Sequence, residues 1–398
     1  MRFTLAITPS AHVKKRLWAF LLPVILGASI DTSAQPFSVV EGLFNGTMPE
    51  TMGLQLPVGV EHITVYQGQE GKSQYNHGAV LYSFGNKIYL QWQSSARDED
   101  AADTAVLYAS SRDGLHWSEP RILEKARSNA VVTSGGWWSA GDTLYAFINV
   151  WPNDLQPRGG HVEVLSSSDG IHWENTGRPT FADGRPLDGV IEQDFHRYHN
   201  GRIVTALHRQ PGLRATPIYT DDPSALSGWK LGEFANLSVE NDVSRELEPS
   251  SFQRADGALV MVFRDQQSSF HVLASVSNDN GATWSKTQST NLPDSRAKQS
   301  AGNLPDGSVF LVNNPSSSKV REPLAISLSR DGKIFDRAFL LRAGGNQLAG
   351  PRYEGLYKRK GFSYPKSLVW NDSLYVAYGE NKEDIVVTRI PLTSLLAH

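Results

Sequence analysis

The chain has 398 residues, with 38 Lys and Arg against 41 Asp and Glu, a formal net charge of -3 and ordinary shares of hydrophobic (40%) and charged (20%) residues. That balance supplies no basic field for nucleic acid. Cys is absent, so disulfides and thiolate metal sites are excluded and any ion would need oxygen or imidazole ligands.

At the N-terminus, Lys14, Lys15 and Arg16 precede an apolar run from Leu17 to about Ala28 and the small-residue triplet Thr32-Ser33-Ala34. This order predicts a signal peptide over residues 1–34, cleaved near Ala34. The apolar run is well short of the ~20 residues that span a bilayer. The expectation is a secreted or periplasmic protein, not held in a membrane, with residues 35–398 forming one domain.

Four related segments then follow in order: Ser111-Arg-Asp113-Gly114-Leu-His-Trp117, Ser167-Ser-Asp169-Gly170-Ile-His-Trp173, Ser277-Asn-Asp279-Asn-Gly281-Ala-Thr-Trp284 and Ser329-Arg-Asp331-Gly332-Lys-Ile-Phe335. A degenerate copy runs from Thr220-Asp221-Asp222-Pro223 to Gly228-Trp229. The aspartates at 113, 169, 221, 279 and 331 are spaced by 56, 52, 58 and 52 residues, a period that fits four short strands and therefore one propeller blade. In such an Asp box the carboxylate accepts turn N–H groups, Gly takes the φ > 0 position and the aromatic residue packs the hairpin down. These residues are scaffold.

Between the boxes, turn-then-strand patterns recur at Gly85–Trp92, Asp142–Phe147, Gly201–Ala206, Asp256–Phe263, Asp306–Val312 and Asp372–Tyr378, each rich in β-branched and aromatic residues. Extending the period to Val58–Val65 and to Asp384–Ile390 adds one blade at each end. The prediction is an all-β, seven-bladed β-propeller, with six blades as the alternative.

A propeller gathers ligands where the inner strands end. Polar residues at that phase of the repeat are Asn76 and His77, Arg158, His208 and Arg209, Glu248 with Arg264, Arg296 with Lys298 and Gln299, Arg321, and Tyr364 with Lys366. So many cations predict an anionic ligand, most simply a sugar bearing carboxylate or sulfate. His196 and His199 precede a hairpin turn, which favours a structural role over a metal pair. Oxygen ligands leave a structural Ca2+ open, although no loop has dense Asp spacing; no other cofactor is expected.

The Asp boxes, the segment from Glu248-Pro-Ser-Ser-Phe to Arg264, and Tyr364-Pro-Lys-Ser-Leu368 resemble the sialidase superfamily, whose members place a Glu, an Arg and a Tyr at such positions. Where sialidases carry the first arginine of a carboxylate-binding triad, this chain reads Tyr75-Asn76-His77-Gly78-Ala79-Val80. A longer resemblance runs through Tyr75–His77, His208–Asp222, Pro293–Gly302, Val312–Pro315 and Tyr364–Asp384. Over nearly the whole mature chain it is similar to the propeller polysaccharide lyases that act on rhamnosyl-glucuronate, with ulvan lyases and some rhamnosidases as relatives.

That resemblance implies a monomeric enzyme that cleaves an L-rhamnose-(1→4)-D-glucuronate linkage in an acidic rhamnose-containing polysaccharide or oligosaccharide by β-elimination. The alternatives are a glycoside hydrolase, using Tyr364 with Glu248 if sialidase-like, and a non-catalytic carbohydrate-binding propeller. In the lyase reading His77 matches the catalytic histidine and Arg158, on the long loop Trp151–Gly160, matches the carboxylate-neutralising arginine. His208 is a second acid–base or hydroxyl-binding group, and Tyr145 is the tyrosine nearest to the family's position. Arg209, Arg264, Arg296, Lys298 and Tyr364 are assigned to substrate binding. Neutralising the carboxylate acidifies the C5 proton and stabilises the charge that develops when it leaves.

Overall fold

Alternation of burial along His161–Ser167 shows how the sequence makes strands: Val162 and Val164 are buried, while Glu163 faces outward to pair with Arg127. The computed structural model describes residues 35–396, and its regular structure is almost entirely such strands, with one short α-helix at Leu392–Leu396 and a 3-10 turn at Gly345–Gln347. The expected signal peptide lies outside the described residues.

Most of the strands form six antiparallel blades, five of them four-stranded and one with its inner strand split in two. Their inner strands are Tyr75–Phe84, Ala130–Ala140, the run from Gly189–Ile191 to His196–Arg197, Glu246–Gln253, Ser300–Asn303 and Phe362–Trp370. We number the blades 1 to 6 in this order. The alternative blade count is the one observed, and the seventh blade is corrected by a single pairing. Glu61–Tyr66 and Asp384–Pro391, taken from sequence as parts of two blades, lie side by side in blade 6, with Glu61 opposite Arg389 and Ile63 opposite Val387. The two chain ends complete one sheet, so the terminal strands count once.

The Asp boxes form the turns between third and fourth strands. Asp113 Oδ1 accepts the N–H groups of Leu115 (2.9 Å) and His116 (2.8 Å), and Asp169 does the same for Ile171 and His172. Gly170, at φ +71°, lies against Tyr89 of blade 1, whose hydroxyl a Cβ would approach to 2.2 Å. The box therefore also docks one blade on the next. In the degenerate copy the turn is held by Asp222, which accepts the N–H groups of Ser224 and Ser227, while Asp221 pairs with Arg202.

Apolar clusters fill each seam between blades. Tyr145 belongs to one of them, half-buried with Trp138, Phe181 and Trp229 between blades 2 and 3. It does not reach the channel, which corrects its assignment to catalysis: on its strand it stands opposite Trp138 and Ser166, on a scaffold face.

Candidate functional site in the axial canyon

The ends of the inner strands surround a canyon of about 230 Å³, lined among others by His77, Asp100, Arg158, His208, Glu248, Lys298 and Tyr364. Several inner strands bulge as they reach it. Register shifts fall between His77 and Val80, between Leu247 and Ser250, and between Ser363 and Lys366. The residue after the first of each pair has positive φ: Gly78 (+64°), Glu248 (+52°) and Tyr364 (+57°). A bulge re-aims a side chain. Glycine adopts this conformation freely, whereas Glu and Tyr hold it at a cost of roughly 1–3 kcal/mol, the kind of strain found at ligand sites.

These two strained side chains, from blades 4 and 6, meet. The Tyr364 hydroxyl donates to Glu248 Oε1. Arg264 Nη1 reaches Glu248 Oε1 (3.1 Å) and Oε2 (2.9 Å) and the Tyr364 oxygen (3.1 Å). The Arg321 guanidinium sits 5.0 Å from the Tyr364 ring centroid and donates to Ser363 Oγ at 2.9 Å. Burial acts to raise the Glu248 carboxyl, but Arg264, the tyrosine O–H and Lys298 outweigh it and bring it down to about 2. Burial, with the Glu248 charge, pushes the Tyr364 hydroxyl well above the ordinary tyrosine range. The pair is thus a neutral phenol hydrogen-bonded to an ionised carboxylate.

His77 lies against this pair, its ring 4.2 Å from that of Tyr364. It is 1% exposed and neither ring nitrogen has a hydrogen-bond partner. Burial, then the charges of Lys382, Arg321, Lys298 and Arg264, hold it well below the usual histidine range, so the ring is neutral.

Loops of blades 1 and 2 also line the canyon. Arg158 forms a two-pronged pair with Asp100 (2.7 and 2.6 Å) and stacks 5.0 Å from the Trp151 ring. Its charge is therefore already matched, and its side chain is 53% exposed at the rim while His77 is enclosed. Lys382 donates to Glu99. The blade 3 run carries Glu192, which lines the canyon, and Asp194, and these pair with Lys298 and Lys366. Burial brings Lys366 down to about 7.

Of the residues expected from sequence, His77, Arg158, His208, Lys298 and Tyr364 line the canyon, and Arg264 bridges Glu248 and Tyr364. Arg209 does not line it: the side chain pairs with Asp188 at 2.9 and 2.6 Å. Arg296 is half-buried at φ +59°, with Nε unpartnered, and it is near enough to Arg264 and Arg359 for their charges, after burial, to lower its pKa. Glu99, Asp100, Glu192 and Lys382 were not anticipated. The run Asp98-Glu99-Asp100, three acids in a hairpin loop at the canyon end of blade 1, was the signal available in the sequence. Among the described residues, no three His, Asp or Glu side chains converge to hold a metal ion, and no helix is long and apolar enough to cross a membrane.

The buried histidines predict a pH dependence of stability. Burial brings His196 to about 4, and also lowers His208 and His77. Their folded-state values lie below the usual value near 6.5, so the unfolded chain binds more protons, and stability present above pH ~6.5 is lost as pH falls, by about 1.4 kcal/mol per pH unit for each proton. Asp294, raised by burial to about 6, offsets one of these. Urea midpoints are expected to drop between pH 7 and 5, before carboxylates other than Asp294 titrate; a flat profile would show that the histidines ionise freely in the fold.

No curated protein matches the chain. Solved structures that resemble it are propellers. A sialidase aligns at 19% identity and TM-score 0.59 over 89% of this chain and 35% of that one, so the chain spans about a third of the longer protein. A protein of unknown function from Dyadobacter fermentans aligns at 16% identity and TM-score 0.62, covering 83% of this chain and 99% of its own. The intramolecular trans-sialidase of Ruminococcus gnavus aligns at 13% identity and TM-score 0.60, over 87% of this chain and 100% of that one. Residues 86–376 match the model of the BNR repeat-like domain, and with most of its blades inside that match the chain belongs to the BNR repeat-like family.

Proposed function

We propose that the canyon is the active site of a carbohydrate-active enzyme that cleaves a glycosidic bond of an acidic sugar, with Tyr364 as nucleophile and Glu248 as its base. The contact of the Tyr364 hydroxyl with Glu248, bracketed by Arg264, carries this reading. Glu248 takes the phenolic proton as the oxygen attacks the anomeric carbon. The bond to the leaving oxygen breaks, and that oxygen collects a proton from water, because the carboxylates of Glu99 and Asp100 that line the canyon are already paired with Lys382 and Arg158. Water then reverses the sequence and frees Tyr364. A neutral phenol suits a centre next to a carboxylate, which a carboxylate nucleophile would repel; sialidases use tyrosine in this way. Arg321 and Arg264 supply the field that attracts the acid group.

A second reading is favoured by one observation, the neutral, unpartnered His77 against Tyr364. In it His77 removes the C5 proton of a glucuronate, the C4–O4 bond to rhamnose breaks, and a 4,5-unsaturated uronate remains. It ranks second because the four cations around His77 oppose the imidazolium that this step creates. In that reading the substrate is an acidic rhamnose-containing polysaccharide or oligosaccharide, and the enzyme acts as a monomer outside the cytoplasm.

The protein should be incubated with 4-methylumbelliferyl N-acetylneuraminide, gum arabic and ulvan. Fluorophore or reducing sugar released without the ultraviolet absorbance of an unsaturated uronate supports the hydrolase. That absorbance supports the lyase and overturns the first reading. Sugar binding with neither product would mark a lectin.

A further inference from the structure

His208 lies at the canyon wall, 6% exposed, and two contacts fix its state. The backbone N–H of Glu248 points at His208 Nε2 at 3.2 Å. An N–H can only donate, so Nε2 is the acceptor and the ring proton must sit on Nδ1. Nδ1 faces Glu192 Oε2 at 3.9 Å, and Glu192 is held in turn by Lys298. The residue whose N–H is captured is the bulged one, at φ +52°. The ladder shifts register there, between Leu247 and Ser250, and the N–H of the bulged residue is given to the imidazole.

We propose that His208 is a positioning residue: as the neutral Nδ1–H tautomer, oriented by Glu192, it captures the Glu248 N–H and holds the left-handed bulge that aims the carboxylate at Tyr364. The inference rests on the Tyr364–Glu248 reading and adds the element that keeps it assembled. Protonation of Nε2 would replace the acceptor by a second N–H facing the first, and the bulge would relax. The charged groups facing His208 are Glu192 from blade 3, Glu248 and Arg264 from blade 4, and Lys298 leading into blade 5. The carboxylates favour the imidazolium, the cations and burial oppose it, and the balance lowers the pKa. The switch therefore operates on the acid side of neutrality.

Two measurements test this. In protein labelled with 15N-histidine, the His208 ring shifts are expected to show a protonated Nδ1 and a bare Nε2 at pH 7. A proton on Nε2 overturns the proposal, whether or not any sugar is cleaved. In kinetics on the substrate found above, His208→Leu is expected to lower kcat by about 10²-fold, the scale of a catalytic group displaced by an ångström, with KM changed little. His208→Gln, whose amide oxygen can accept the same N–H but cannot titrate, is expected to restore most of kcat and to remove the His208 limb from the acid side of the pH profile. A His208→Gln enzyme as impaired as His208→Leu, with the acid limb unmoved, would also overturn the proposal. If no glycoside is turned over, the function reading fails alone and the labelled spectrum still decides the tautomer.

Discussion

Tyr364→Phe is expected to lower turnover by about 10³-fold or more while the protein stays folded. The substitution removes only the hydroxyl that would form the bond to sugar, and loss of a nucleophile leaves the residual catalysis of binding and electrostatics. The ring keeps its contacts with His77 and Arg321. Glu248 keeps both bonds to Arg264, so no buried carboxylate is stranded. Circular dichroism and a melting curve near that of the parent would establish integrity, and kcat on the fluorogenic glycoside gives the result. Turnover near the parent level would exclude Tyr364 as nucleophile. His77→Ala separates the two chemistries: in the hydrolase reading it retains measurable glycoside cleavage, whereas in the lyase reading it abolishes product while Tyr364→Phe need not.

Phe37→Ala is expected to cost about 3–5 kcal/mol, the range for truncating a buried Phe. Phe37 is 1% exposed and packs edge-on to Phe335 (centroids 5.1 Å) and Phe252 (6.0 Å), between blades 4 and 5. Two residues on, Val39 exchanges two hydrogen bonds with the Asn291 amide, both 2.8 Å. The segment before blade 1 is thus a strap across the seam as well as the source of the last strand. Removing residues 35–66 altogether would bare the edge Asp384–Pro391, a template for aggregation, and take away buried side chains that include Phe37, Val39, Met52 and Leu54. Against a typical total stability of about 5–15 kcal/mol, the shortened chain is expected to give no soluble monomer. Urea midpoints for Phe37→Ala and gel filtration of the truncation check both; a stable truncated monomer would mean that the strap is dispensable.

The repeat was legible because each blade spells its own turn: Ser, Asp, Gly and an aromatic residue at fixed offsets are local chemistry. The count of blades was not, because it depends on whether strands at opposite ends of the chain pair, and neither Glu61–Tyr66 nor Asp384–Pro391 carries a mark of its partner. The same division holds at the site. Glu248, Arg264 and Tyr364 were readable as a motif, but the left-handed bulges that bring them together are not. Arg209 could have been rejected from sequence, since it follows His208 on one strand and consecutive side chains face opposite ways. Arg158 stands on a loop that lines the canyon, yet Asp100 sits on another blade's loop, and nothing local announces that the two are bonded.

Arg389 and Glu61, paired across the closing sheet, are separated by 328 positions. During synthesis the earlier strand is finished long before its neighbour exists, so it must wait unpaired or lean on a temporary companion. Contacts of such separation form late and slowly. Five blades can assemble as they emerge and the sixth can build its three C-terminal strands, Tyr364's among them, but it gains its outer strand only when the tail of the chain returns to its head. Until that moment Asp384–Pro391 is a bare edge.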